Sequence, residues 1–266
     1  MENIKTLEQI KRPWVVAHRG YRGSYPENTL VAFEAAIGVN ADMIELDVSL
    51  TRDRIPVVIH DNTLDRTTNG SGPVSEHTLA ELKELDAGSW FSAKFSGEVI
   101  PTLEELLMSV KGRITVNIEI KPESFESPAV PDGIESQICE LVEKLEMGDS
   151  VLISSFEHSF FARIQRWYRN QGKSTLPKVA PLQEAPLSEE LALGLCSRQG
   201  AYSFHPDENF VTPSLIETLK TDGFRIFPYT INKEKRMEQL IQWGVTGIIS
   251  DEPELVWKVI RKLGVD

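Results

Sequence analysis

Met43-Ile44-Glu45-Leu46-Asp47-Val48, a turn at Thr51-Arg52-Asp53-Arg54, and then Ile55-Pro56-Val57-Val58-Ile59-His60-Asp61 form the stretch on which the fold turns. The first run is apolar and β-rich, with two carboxylates at period two. The second run is apolar as well, but the turn before it leaves no room for a helix. Parallel strands need a crossover of a dozen or more residues. The second run is therefore read as an extra strand that forms a hairpin with the first and carries His60 back beside Glu45.

Outward from this hairpin, short β-rich runs alternate with amphipathic stretches. The runs are Trp14–Ala17, Met43–Val48, Thr115–Ile120, Val151–Ser154, Lys178–Leu182, Ala201–Phe204, Ile226–Ile231 and Gly247–Ile249. Helical patterns follow them: Asn28–Ile37, Leu103–Val110, Ile134–Leu145, His158–Tyr168, Ser188–Leu195, Pro213–Leu219, Lys233–Trp243 and Pro253–Leu263. Thr102 is placed as an N-cap, with Glu105 in capping-box position. Alternation of this kind predicts parallel strands with crossover helices, and eight pairs close a (β/α)₈ TIM barrel. A doubly wound open sheet would need a switch point, and no glycine fingerprint supplies one. From Asp61 to about Gly97 the rhythm stops, apart from a short helical pattern at Thr78–Leu85. Residues 61–97 are read as a small insertion over the barrel mouth, after the extra hairpin strand, within a single domain spanning 1–266. Trp90, Phe91 and Phe95 are assigned to its miniature core rather than to a lid.

The chain has 266 residues, 41% hydrophobic and 26% charged, which predicts an ordered globular protein with one large core. Its formal net charge of -12 repels nucleic acid and anionic membranes at long range. An anionic substrate would need positive charge concentrated locally. Cys139 and Cys196 lie in helical stretches and read as buried thiols, too few for a disulfide framework. No run of eighteen apolar residues occurs, and Met1–Trp14 shows no apolar leader, so a cytoplasmic location without stable membrane association is expected.

Barrel enzymes carry their chemistry at the C-terminal ends of strands. There this chain delivers His18 and Arg19, then Glu45 and Asp47, then His60, then Glu119 and Lys121. Glu45/Asp47 and Glu119/Lys121 are each two residues apart, so each pair faces the interior mouth while Leu46 and Ile120 face outward. Inward charges are costly unless paired or metal-bound. Three carboxylates without a thiolate suit one hard divalent cation, Mg²⁺ or Ca²⁺; a salt-bridge network with Arg19 and Lys121 is the plainer alternative. Two histidines beside a cation suit general base and general acid, and Arg19 and Lys121 would clamp a phosphate. His205 ends a run and is placed either at the mouth or in the packing; His158 is read as a helix-terminus residue.

Four ordered segments resemble the glycerophosphodiester phosphodiesterase family. They are Ala17-His18-Arg19-Gly20 with Pro26-Glu27-Asn28-Thr29; Glu45-Leu46-Asp47-Val48; Pro56-Val57-Val58-Ile59-His60-Asp61; and Ile118-Glu119-Ile120-Lys121-Pro122. Weaker echoes are Ser154-Ser155-Phe156, Tyr229-Thr230-Ile231-Asn232 and Gly244–Pro253. The resemblance implies metal-dependent hydrolysis of a small glycerophosphodiester to glycerol 3-phosphate and an alcohol. His18 and His60 match the acid–base histidines, Glu45, Asp47 and Glu119 the metal ligands, and Arg19 and Lys121 the phosphate-contacting positions. Glu27 lies in the motif that supports the first histidine. The chain departs from the pattern in having Tyr229 where the family usually has Trp and Thr246 where it usually has Asp. Tyr229, as a substrate-binding residue, would stack and add a hydroxyl; Thr246 would alter only a turn. A barrel lipase of the phospholipase or sphingomyelinase D type, and a non-catalytic barrel binding phosphorylated ligands, are the alternative functions. The first is opposed by the acidic balance, the second by the presence of both histidines.

Overall fold

Apolar residues on both faces of a strand require cover on both sides, and parallel strands obtain it from crossover helices. A computed structural model describes residues 11–173 and 175–266; Met1–Ile10, which hold most of the segment read for a leader, lie outside them. The strands are β1 (Trp14–Ala17), β2 (Met43–Leu50), β3 (Pro56–Val58), β4 (Thr115–Ile120), β5 (Val151–Ser155), β6 (Lys178–Gln183), β7 (Ser203–Pro206), β8 (Arg225–Ile226) and β9 (Gly247–Ser250). The helices are α1 (Leu30–Gly38), α2 (Leu79–Lys83), α3 (Leu103–Val110), α4 (Ile134–Lys144), α5 (Ser159–Asn170), α6 (Glu189–Gln199), α7 (Pro213–Thr221), α8 (Glu234–Trp243) and α9 (Pro253–Leu263). The strands run in parallel in the order β8-β7-β6-β5-β4-β2-β1-β9. Between β8 and β9 single bonds replace the ladder. The N–H groups of Thr246, Ile249 and Ile231 donate to the carbonyls of Ile226, Pro228 and Ile249 at 3.0, 3.1 and 3.0 Å. The result is a nearly closed (β/α)₈ barrel.

The extra strand is present: β3 pairs antiparallel with β2, Val48 opposite Val58, and the Ile59 N–H donates to the Asp47 carbonyl at 3.0 Å. Two runs differ from expectation. β7 begins two residues later than Ala201, and Pro206 lies within it. The run Ile226–Ile231 keeps only Ile226 in β8, because Pro228 has no N–H to donate and Tyr229 instead bridges Asp207.

Alternation sorts the strand residues into two layers. Leu46 and Ile120 point outward and pack with Phe33 of α1 and Leu103 and Leu107 of α3. Trp14, Val16, Met43, Leu152, Phe227 and Ile249 form a separate cluster of inward residues. The same inward phase then carries Glu45 and Asp47 to the open end. Thr102 caps α3 through the expected box with Glu105, and Thr78 caps α2 in the same way with Glu81. Asn28 stays outside α1, in a left-handed conformation (φ 58°), while Thr29 takes the N-cap. His158 is the N-cap residue of α5, as expected of a helix terminus.

After β3 the chain forms α2 and two short 3₁₀ turns, Val74–Glu76 and Ala93–Phe95. Leu64, Val74, Leu82, Ala87 and Ile100 pack there against Val57 and Ile59. The aromatics lie beside that aliphatic cluster: Trp90, Phe91 and Phe95 pack on one another at 5.7 and 5.8 Å between ring centres, with Phe95 buried and Trp90 37% exposed. Cys139 and Cys196 are buried free thiols, pushed up by burial, in α4 and α6. Among the described residues no helix is long and apolar enough to cross a membrane.

Candidate active site

The chain leaves β1 through a left-handed turn at Arg19 (φ 53°) and Gly20 (φ 80°). A Cβ at Gly20 would stand 2.7 Å from the Ala32 carbonyl carbon, so this approach to α1 requires glycine. The turn aims the Arg19 N–H at Glu45 Oε2, 2.9 Å away. Arg19 Nε lies 3.2 Å from Asp47 Oδ2, and Asn28 Nδ2 donates to that oxygen at 2.9 Å. Lys121 Nζ donates to Glu119 Oε1 at 3.0 Å and lies 3.5 Å from Asp47 Oδ1.

A cavity of about 390 Å³, within the usual range for small-molecule sites, opens at this end of the barrel. His18, Arg19, Glu45, His60, Glu119, Lys121 and Tyr229 line it, and Asp47 sits beneath, against Arg19 and Lys121. All eight residues singled out in the sequence therefore meet at one mouth. His205 does not line it: its ring is buried, bonded to Ser203 at 3.0 Å and edge-on to Phe227, and burial pulls its pKa down to about 3. His158 donates to the Leu182 carbonyl and also stays out of the cavity. The Tyr229 hydroxyl is buried without a hydrogen-bond partner among the described residues, its ring edge-on to Phe156, and burial pushes its pKa up.

Each cavity histidine has a carboxylate partner that sequence reading had not assigned. His18 Nδ1 is 2.6 Å from Asp251 Oδ1, and His60 Nδ1 is 2.6 Å from Asp61 Oδ1. With Nδ1–H donating to these carboxylates, each Nε2 is left to accept a proton. His18 Nε2 stands 4.0 Å from Glu45 Oε2. Burial lowers both histidine pKa values, against the opposing pull of Asp251 on His18 and of Asp47 on His60. Asp61, held by Arg66, and Asp251, whose burial is outweighed by the His18 bond, both stay near 2.

Among the carboxylates, burial pushes Glu45 well up and takes Glu119 to about 7, each reinforced by Asp47. Asp47 is held low, because Arg19 and Lys121 outweigh its burial. One oxygen from each of Glu45, Asp47 and Glu119 lies within 4.8 Å of the others. Around a hard cation, oxygens at about 2.0–2.6 Å from the ion stand within such a spacing. Glu45 Oε1 is buried and has no hydrogen-bond partner among the described residues, a donor atom a cation would satisfy. The group fits a divalent metal ion.

The residues missed were Asp61 and Asp251, with Arg66 bonded to Asp61 and Arg22 bonded to Asp251 at 3.1 Å. Asp61 had a visible signal, its place beside His60. Asp251 reaches His18 from the far end of the chain, and only closure of the barrel brings them together.

Residues 18–255 match the model of the glycerophosphoryl diester phosphodiesterase family. A glycerophosphodiester phosphodiesterase of Caldanaerobacter subterraneus subsp. tengcongensis is 41% identical over 251 residues, covering 94% of this chain and 98% of its own length. One from Bacillus altitudinis is 36% identical over 253 residues, covering 94% and 98%. The solved structure of an Oleispira antarctica phosphodiesterase in complex with the product sn-glycerol-3-phosphate superposes with a TM-score of 0.82, at 29% identity, over 94% of this chain and 97% of that one.

Proposed function

The chain belongs to the glycerophosphoryl diester phosphodiesterase family and hydrolyses glycerophosphodiesters; we propose that it releases glycerol 3-phosphate and an alcohol with His18 and His60 as the proton-transferring pair. The observation that carries this reading is the arrangement of two histidines, each backed by a carboxylate, on the rim of one cavity that also holds Arg19 and Lys121. One Nε2 takes the proton of the attacking hydroxyl, that of water or of the substrate's own glycerol. The other histidine, protonated, gives its proton to the departing alkoxide as the bond from phosphorus to that oxygen breaks. Asp251 and Asp61 hold each ring in the tautomer that frees Nε2. Arg19 and Lys121 bind the non-bridging phosphate oxygens by charge-assisted hydrogen bonds. Tyr229 supplies an aromatic face and a hydroxyl to the same cavity.

In this reading Glu45, Asp47 and Glu119 hold one hard divalent cation, Mg²⁺ or Ca²⁺. When bound, it polarises phosphoryl oxygens and offsets charge in the transition state. The same reading places the protein in the cytoplasm, acting on a small diester rather than on a lipid surface.

Leaving-group dependence tests the division of labour. A nitrophenolate needs no protonation, so loss of the acid histidine should hurt its release far less than release of a glycerol-linked alcohol. Loss of the base should hurt both by about 10²–10⁴-fold. Equal responses of His18→Ala and His60→Ala to leaving-group quality would exclude separate acid and base roles. Chelation with EDTA should abolish turnover, and Mg²⁺ or Ca²⁺ should restore it. Full activity in a sample shown by elemental analysis to lack metal would remove the cation from the reading.

A further inference from the structure

Glu27 is charged and only 4% exposed, yet it touches neither histidine. Its two oxygens accept from three guanidinium groups. Oε1 receives Arg19 Nη1 at 2.8 Å and Arg66 Nη2 at 2.7 Å; Oε2 receives Arg22 Nε at 2.8 Å and Arg66 Nη1 at 2.9 Å. Two of these arginines continue outward. Arg22 Nη1 donates to Asp251 Oδ2 at 3.1 Å, and the other oxygen of Asp251 meets His18. Arg66 grips Asp61 with two bonds, Nε to Oδ2 at 2.6 Å and Nη2 to Oδ1 at 2.9 Å, and Asp61 Oδ1 meets His60. Three carboxylates thus face three arginines, of which Arg19 is shared with Asp47.

We propose that Glu27 is a shared positioning residue for both histidines, acting on His18 through Arg22 and Asp251 and on His60 through Arg66 and Asp61. This rests on the acid–base reading of the two histidines. The physical argument is one of orientation. A carboxylate on a loop can rotate away from a ring nitrogen unless it is held on its other side; Arg66 holds Asp61 with two bonds, and Arg22 holds Asp251 with one, beside Asn232 Nδ2 on the same oxygen at 2.7 Å. Arg66 comes from the segment after β3 and Arg22 from the loop between β1 and α1. Neither arm is anchored by its own strand, so each needs a fixed point, and Glu27 is the point they share. Groups that orient ligands or catalytic rings from behind typically change activity 10–100-fold when removed.

A double-mutant cycle separates positioning from simple support of the fold. Steady-state kinetics would be measured on sn-glycero-3-phosphoethanolamine for Arg22→Gln, Arg66→Gln and Glu27→Gln, alone and combined with His18→Ala or His60→Ala. Arg66→Gln should lower kcat about 10–100-fold, lose that effect in the His60→Ala background and keep it in the His18→Ala background. Arg22→Gln should show the mirror pattern. Glu27→Gln should lose part of its effect in each. Arg22→Lys and Arg66→Lys, which keep the charge and lose the fork, should fall between and serve if the glutamine variants do not fold. Effects of equal size in both histidine backgrounds, or a lower melting temperature with unchanged kcat, would overturn the proposal. Those outcomes leave the histidine assignment intact. Wild-type kcat in His18→Ala and His60→Ala would instead defeat the acid–base reading, and the positioning role with it.

Discussion

Glu45 and Asp47 stand two residues apart on one strand, yet burial drives the first carboxyl up while Arg19 and Lys121 hold the second down. The difference lies in the cations each can reach. Lys121 serves both Asp47 and Glu119, so in the proposed mechanism its removal takes away a hydrogen-bond donor to the phosphate and a counter-charge together. Lys121→Ala is expected to cost about 1.5–3 kcal/mol of transition-state stabilisation, read from kcat/KM, the scale of a hydrogen bond to a charged group. Wild-type kinetics would mean that this ammonium does not reach the phosphate. A second prediction concerns His205, buried in the barrel and outside the cavity. Its folded pKa of about 3 lies below the unfolded value of about 6.5, so between these values the unfolded chain binds more protons. Stability from this group is therefore full above about pH 6.5 and is lost as pH falls, by about 2 kcal/mol at pH 5. Urea unfolding of wild type and His205→Gln from pH 7.5 to 5 should give a difference that shrinks toward acid. Parallel curves would show that the ring takes up its proton in the folded state. At this scale the period-two pairs were legible, because strand geometry fixes which way they face. The partner role of Asp251 was not, because closure of the barrel brings it to His18, and that of Asp61, though it adjoins His60, depends on the loop conformation after β3.

The elements divide in the same way. β2 and β3 could be read because a four-residue turn excludes a crossover, and the cap of α3 because Thr102 and Glu105 carry it locally. β8 could not be read to its end. Its apolar run continues to Ile231, but Pro228 interrupts the ladder and the strand survives only as Arg225–Ile226. Here Thr246 does more than alter a turn. Its hydroxyl accepts the Ile226 N–H at 3.0 Å, its carbonyl accepts the Trp14 N–H at 2.9 Å, and its own N–H donates to Ile226. It joins β8 to β1 across the base of β9, where regular pairing is thinnest. Thr246→Val would leave a buried N–H unpaired and should lower unfolding free energy by about 1–3 kcal/mol. Thr246→Asp, the residue usual in the family, keeps an acceptor there and should lose far less. Equal losses in chemical denaturation would mean that the acceptor supplied to the Ile226 N–H does not account for the cost.

For the whole molecule the question is how a chain of net charge -12 handles an anionic substrate. The alternation of runs was enough to read the barrel, and its strand ends named the side chains at the mouth. What they could not give is the balance of charge there. Among the described residues, the fixed cations that Glu45, Asp47 and Glu119 face at close range are Arg19 and Lys121, and Arg19 is shared with Glu27. A divalent cation in this group should therefore stabilise the fold as well as serve the reaction. At a hundred times its Kd, mass action predicts about 2.7 kcal/mol, a rise in melting temperature of about 5–10 °C for a chain of this size. General screening also favours an acidic protein, so the comparison must be with NaCl at matched ionic strength, which should give a much smaller rise. Burial raises the proton affinity of Glu45 and Glu119, and cation and proton compete for the same oxygens. The rise should therefore be larger at pH 8 than at pH 6. Asp47→Asn should remove the excess over NaCl, because it takes one of three anionic ligands from the group. A rise that NaCl reproduces, or that survives Asp47→Asn unchanged, would place the cation's effect on the acidic surface rather than among these three carboxylates.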